Sequence, residues 1–179
     1  MIFTETKLKG VFVIALERHE DDRGFFARSW SRSEFEAHGL DFRIVESNIS
    51  FNKKKGTLRG MHYQAAPFGQ AKVVRCTSGA VFDCVIDLRP NSETFTQWVA
   101  VELTARNRLM IHVPEGFAHG FQTLEDDTEI FYEMSRAYAP GSSKGVRWND
   151  PIFAIHWPLD VTVINERDSG YPDYHPGSV

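Results

Sequence analysis

Short strand-like runs, cut at regular intervals by turn residues, dictate most of what this chain can become. Apolar or period-two runs cover residues 11–16, 43–48, 71–77, 80–88, 96–103, 108–113 and 129–135. Between them stand Lys55-Gly56, Ser78-Gly79, Pro90-Asn91-Ser92, Pro114-Glu115-Gly116 and Pro140-Gly141. Runs this short, with a side-chain repeat of two, fit strands better than helices. Many short strands at even spacing predict an all-β protein, an antiparallel sandwich or barrel of the jelly-roll kind. One clear helix is expected over residues 31–38, with Ser31 as N-cap and Gly39 as the stop. The tail from Asp168 (DSGYPDYHPGSV) is rich in turn residues and reads as irregular. With no repeat, low-complexity stretch or linker, residues 1–179 read as a single domain.

Composition narrows the function classes. The formal charge of −4 carries no field that would draw the chain to nucleic acid or to a membrane surface. An anionic small molecule would therefore have to be met by a few placed Arg and Lys. The N-terminal MIFTETKLKGVFVIALERHEDD does not read as a signal peptide, and no run approaches a membrane span. Cys76 and Cys84 lie in apolar runs without a CxxC spacing, where Cys behaves as a small hydrophobe. Together these features predict a cytoplasmic protein with no disulfide framework.

Three segments hold polar residues that a plain barrel core does not need: Thr57–Gln64 (TLRGMHYQ), Pro114–Phe121 (PEGFAHGF) and Phe131–Ser135 followed by Tyr138. In a regular strand Arg59, Met61 and Tyr63 share one face, and Leu58, Gly60, His62 and Gln64 the other, unless a bulge intervenes. Each polar residue taken alone has an ordinary reading: a hydrogen-bonded His, a Tyr with its hydroxyl at the rim, a surface Arg pair. Phe25-Phe26 follows a turn at Asp22-Arg23-Gly24, and the two rings point to opposite faces: either both pack in the core, or one faces a cleft or a partner subunit. A metal site needs three or four converging ligands; His62 and His119 with a carboxylate are a weak signal, and no metal is expected.

The runs LRGMHYQ, QAKVVRCTSGAVFDCVIDLRPNSETFTQW, VPEGFAHGFQTL, YAPG and VRWNDPIFAIHWP make the reading specific. In order and spacing they resemble the dTDP-4-dehydrorhamnose 3,5-epimerase family, over about residues 10–168. The resemblance implies a cupin-type jelly-roll barrel with few short helices, a homodimer, no cofactor and a nucleotide-linked 4-keto-6-deoxy sugar as substrate. It also implies roles by position. His62 matches the general base, Asp168 the carboxylate paired with it, Tyr132 the general acid on the opposite sugar face, and Lys72 the cation near the C4 oxygen. Asp83 and His119 match further polar pocket residues, and Arg59 and Arg23 match diphosphate contacts. Asn48 lies in the nucleotide-contacting stretch, Tyr138 matches a stacking aromatic, and Phe26 reaches across the dimer.

These residue types suit that chemistry. An imidazole of ordinary pKa, about 6.5, cannot by itself take a proton from carbon beside a ketone, so the enolate must be stabilised as it forms. Guanidinium groups offer forked, permanently charged donors for phosphate. Five positions depart from the family pattern: Arg28 for Glu, Glu46 for Gln, Glu133 for Lys, Ser143 for Glu and Arg167 for Lys. They leave open the nucleotide and whether C3 alone is inverted. A metal-dependent cupin enzyme and a non-catalytic sugar-nucleotide binding barrel are the competing classes. The latter has no need of a base and an acid on opposite faces.

Overall fold

In the computed structural model, residues 1–177 are described; Ser178 and Val179, the end of the tail, lie outside the described residues. The strands in chain order are β1 (Ile2–Glu5), β2 (Phe12–Ala15), β3 (His19–Asp21), β4 (Gly24–Phe26), β5 (Glu46–Asn52), β6 (Leu58–Gln64), β7 (Lys72–Ser78) and β8 (Ala80–Asp87). They continue as β9 (Trp98–Thr104), β10 (Met110–Val113), β11 (Phe117–Thr123), β12 (Thr128–Met134) and β13 (Ser143–Gly145). Helices α1 (Arg32–Ala37) and α2 (Glu166–Ser169) are the two α-helical elements of the described residues.

Two antiparallel sheets face each other. One has the order β1-β2-β10-β7-β12-β5, the other β13-β6-β11-β8-β9, and β3-β4 forms a separate hairpin. Neighbours are mostly remote in sequence, as β2 beside β10 and β5 beside β12, which is how a jelly roll closes without exposing long edges. The period-two pattern explains the core between the sheets. Val74 and Cys76 of β7, Ile111 of β10 and Ile130 of β12 meet Val81 and Val85 of β8, Leu103 of β9, and Phe117 and Phe121 of β11. Both sheets also bury part of their outer faces. Met61, Tyr63, Cys84, Ile86 and Ala118 are covered by the C-terminal segment through Phe153, Ile155 and Tyr174.

The seven predicted strands are all present; the bounds of β5 and the reading of the tail differ. β5 starts at Glu46 rather than 43 and runs on to Asn52, because β12 pairs with it along its whole length, from Met134↔Glu46 to Thr128↔Asn52. The tail is not wholly irregular: α2 begins before Asp168, with the Asn165 side chain accepting the Asp168 N–H at 2.7 Å. Helix α1 ends as expected, with Gly39 at φ +75°, but Ser31 makes no side-chain cap. Packing holds this six-residue helix instead. Fully buried Phe35 meets Phe3 edge-on at 5.2 Å and Phe42 at 5.7 Å. Cys76 and Cys84 are free and buried; burial pushes the Cys76 thiol up to about 11 and that of Cys84 well above its ordinary value.

His112 of β10 is sealed under the same aromatic cluster, with ring centroids 6.3 Å from Phe35 and 5.8 Å from Phe42, and its Nδ1–H donates to the Gly10 carbonyl at 3.1 Å. Burial depresses its pKa to about 4, partly offset by that hydrogen bond. The unfolded chain therefore binds a proton at this residue that the folded chain refuses. The resulting stability is full above pH 6.5 and is lost as pH falls from about 6.5 towards 4, on the order of 3 kcal/mol at most. Urea unfolding at pH 7.5 and 4.5 checks this: His112→Gln should show a smaller acid-induced loss than the parent protein, and equal losses would remove His112 as the cause.

Candidate active site

The polar residues gather at one end of the space between the sheets. A cavity of about 150 Å³ is lined by Ser50, Arg59, His62, Lys72, His119 and Tyr132, among others. A second, of about 190 Å³, shares His62, Lys72 and Tyr132 and adds Asn48, Gln64, Tyr138, Ser143 and Arg167. His62 comes from β6 and His119 from β11 of one sheet; Lys72 comes from β7 and Tyr132 from β12 of the other. The two groups thus approach one space from opposite walls.

A bulge in β6 makes this possible and corrects the regular-strand face assignment. His119 pairs with His62 and Phe121 with Arg59, so Gly60 and Met61 together stand opposite the single Gly120. The extra residue turns Arg59 to the cavity side with His62, while Met61 and Tyr63 pack on the outer face. Only glycine fits at the bulge: Gly60 has φ +127°, and a Cβ there would sit 2.6 Å from the Gly120 Cα.

Each histidine is backed by a buried carboxylate. His62 Nε2–H donates to Asp168 Oδ1 at 2.7 Å, and the other Asp168 oxygen accepts the Gly60 N–H at 2.9 Å. Burial alone would raise the Asp168 carboxyl. The hydrogen bond and charge of His62, the Gly60 N–H and the Arg167 charge together hold it below its ordinary value. With Nε2 donating to a carboxylate, Nδ1 is the His62 nitrogen with a free lone pair. His119 Nε2–H donates to both oxygens of fully buried Asp83, at 3.0 and 2.9 Å. Desolvation lowers the Lys72 pKa to about 8, with the Asp83 charge partly opposing. The ammonium therefore persists at neutral pH in a poorly solvated place, where a charge acts most strongly on its neighbours.

The remaining expected site residues fall into two groups. Arg59 Nε donates to Asn52 Oδ1 at 2.7 Å rather than to a carboxylate. Asn48 lies across the strand pair from Tyr132, and exposed Tyr138 stands at the rim, its hydroxyl drawn below its ordinary pKa by Ser143 and then Arg167. Arg23 and Phe26 lie apart from the cavity, on the β3-β4 hairpin. Arg23 is paired with Asp21 at 2.6 Å, and Phe26 is 70% exposed. Neither ring is buried: Phe25 is 38% exposed and lies between the Arg18 and Arg108 guanidinium groups, their carbons 5.1 and 5.0 Å from its centroid. Among the described residues no group of three or more His, Cys, Asp or Glu is arranged to hold a metal ion.

Of the five departures, three surround the rim. The Arg167 guanidinium donates to Ser143 Oγ at 2.8 Å, and the Tyr138 N–H donates to Glu46 at 3.2 Å. Glu133 pairs with Arg75 at 3.1 Å on the outer sheet face, and Arg28 lies 3.7 Å from Glu34. Ser50 lines the cavity but lies outside the polar segments the sequence marks. Ser50 shares the inner face of β5 with Asn48, and extending the period-two run by two residues would have found it.

The family model described as dTDP-4-dehydrorhamnose 3,5-epimerase matches residues 5–175. The chain belongs to that family. A Sinorhizobium fredii dTDP-4-dehydrorhamnose 3,5-epimerase is 39% identical over 173 residues, covering 96% of this chain and 89% of that one. The crystal structure of the Elizabethkingia anophelis dTDP-4-dehydrorhamnose 3,5-epimerase superposes with a TM-score of 0.94 at 37% identity, over 97% of this chain and 96% of that one. The Legionella pneumophila dTDP-6-deoxy-D-glucose-3,5-epimerase, solved with dTDP-4-keto-L-rhamnose, gives 0.88 at 34% identity, over 97% and 98%. The protein is accordingly an isomerase, an epimerase on a cupin-type jelly roll. No helix among the described residues of this epimerase is long and apolar enough to cross a membrane.

Proposed function

We propose that this epimerase acts on dTDP-4-dehydro-6-deoxy-D-glucose, moving protons at the carbons that flank its C4 ketone. The observation that carries the reading is the pair of adjoining cavities that share His62, backed by Asp168, on one wall and Lys72 and Tyr132 on the other. His62 takes the proton from carbon, and Asp168 fixes its tautomer and supports the imidazolium that forms. Lys72 steadies the enolate oxygen. Tyr132, on the opposite sheet, returns a proton to the other face, which inverts the centre. The ketone acidifies both C3 and C5, so one base serves either carbon, and the chemistry calls for no metal or organic cofactor.

Arg59 and the Asn48–Tyr138 rim extend from the sugar cavity and suit a diphosphate and a base, respectively. Arg23 and Phe26 reach a substrate only from a second copy, which we include as a homodimer in which the β3-β4 hairpin enters the partner's site. Exposed Ile49 and Phe51 on edge strand β5 give such a dimer apolar surface to cover. The 1–179 stretch is read as one epimerase domain, and the Cys usage fits a reducing compartment such as the cytoplasm.

The test is incubation with dTDP-4-keto-6-deoxyglucose in deuterated water, followed by NMR. Deuterium should enter at C3 and C5; entry at C3 alone would make this a one-carbon epimerase, and none at either carbon would end the reading. Tyr132→Phe should impair formation of the inverted product by about 10²–10⁴-fold, the usual span for a general acid, and more severely than proton loss at the same carbon. Unimpaired inversion would remove Tyr132 from the acid role.

A further inference from the structure

Asp168 must hold His62 from a helix of only four residues, which has little stability of its own. On its N-terminal side Asn165 grips the Asp168 N–H at 2.7 Å. On its C-terminal side the helix ends at Gly170, and Tyr171 follows. The Tyr171 ring lies flush against Gly145, so close that a Cβ at that glycine would fall 2.3 Å from the ring. Gly145 of β13 is the residue paired with His62 in β6. The same ring also meets the imidazole edge-on, with centroids 6.5 Å apart and planes at 70°. Further along, the segment is anchored by Tyr174, whose N–H donates to Asp150 at 2.6 Å and whose ring packs on Phe153 at 5.3 Å.

We propose that Tyr171 is a positioning residue for proton abstraction: its ring, seated on Gly145, is the wedge that sets the His62 imidazole against Asp168. The ring acts by shape. Its hydroxyl is buried and faces Arg167 without a well-formed hydrogen bond among the described residues, so the contact with His62 is made by the ring. Gly145 completes the device by leaving room that any side chain would take. The other ionisable groups around His62 are His119 beside it on β11, Lys72 and Tyr132 across the cavity, and Arg59 and Arg167 at its margins. Of these, Arg167 lies beside the wedge, its guanidinium carbon 5.9 Å from the Tyr171 centroid.

The inference rests on the epimerase reading and is tested by steady-state kinetics with dTDP-4-keto-6-deoxyglucose. Tyr171→Ala should lower kcat by roughly 10- to 100-fold with KM within about twofold, the loss typical of a displaced catalytic group. Tyr171→Phe should behave as the parent protein. Gly145→Ala, which pushes the ring off its seat, should reproduce Tyr171→Ala. Unchanged kcat in Tyr171→Ala, equal losses in the Ala and Phe variants, or a loss carried by KM rather than kcat would each overturn the proposal. An inactive parent protein would instead overturn the epimerase reading itself.

Discussion

His62→Asn will abolish deuterium incorporation at both carbons beside the ketone. Asparagine keeps a polar group near Asp168 but has no basic nitrogen to accept a proton from carbon. The expected loss in turnover is about 10²–10⁴-fold, the usual contribution of a placed general base. The geometry makes the prediction sharp. His62 Nε2 is committed to Asp168 at 2.7 Å, so the chemistry falls to Nδ1. The neighbouring His119 is committed through its Nε2 to Asp83 and offers the one plausible substitute. NMR in deuterated water, as for the parent protein, decides. Exchange that persists at C3 and C5 in His62→Asn would assign the base to another group, and loss of that exchange in a His119 variant would name it.

Lys72→Met should cost about 10²–10³-fold in kcat, as removal of an oxyanion-stabilising donor does elsewhere. Methionine matches the length of the side chain and fills the space without the charge. Because burial has already lowered the Lys72 pKa to about 8, the parent protein should also lose activity as pH rises through about 8. The sign is fixed by the charge: the ammonium is present below that pH and gone above it. That alkaline limb should vanish from the profile of Lys72→Met. Stability supplies a control. A poorly solvated charge is removed, so the variant should unfold at the same or higher urea concentration than the parent. A kinetic loss that coincides with weakened folding, or an alkaline limb that survives, would take Lys72 out of the oxyanion role.

Much of the architecture was legible because it follows from local pattern. Runs such as 71–77 and 80–88 alternate or stay apolar over strand lengths and end at Ser78-Gly79 and Pro90, so their existence needs no tertiary information. The limits of β5 were misjudged because a strand edge depends on its partner, here β12, which lies some eighty residues away in sequence. Thr57–Gln64 and Pro114–Phe121 stand out in the sequence as polar segments, yet their mutual register is not available there. The bulge at Gly60 depends on what stands opposite, and only the fold sets Gly120 there. The β3-β4 hairpin shows the reverse limit. Arg23 and Phe26 were implied as site residues by resemblance, while a single folded chain leaves both away from the cavity.

The sequence by itself determined the sheet-rich class, the positions of the polar segments and the kinship that names their chemistry, since these rest on residue order and short-range periodicity. Only the tertiary structure decided which of those residues meet. It set His62 and Arg59 on one face through an inserted residue, brought Asp168 back from 106 positions away to the imidazole, and lowered Lys72 by stripping its water. The reason is physical: hydrogen-bond partnership and desolvation depend on distance in space, and sequence separation does not constrain that distance until the sheets close.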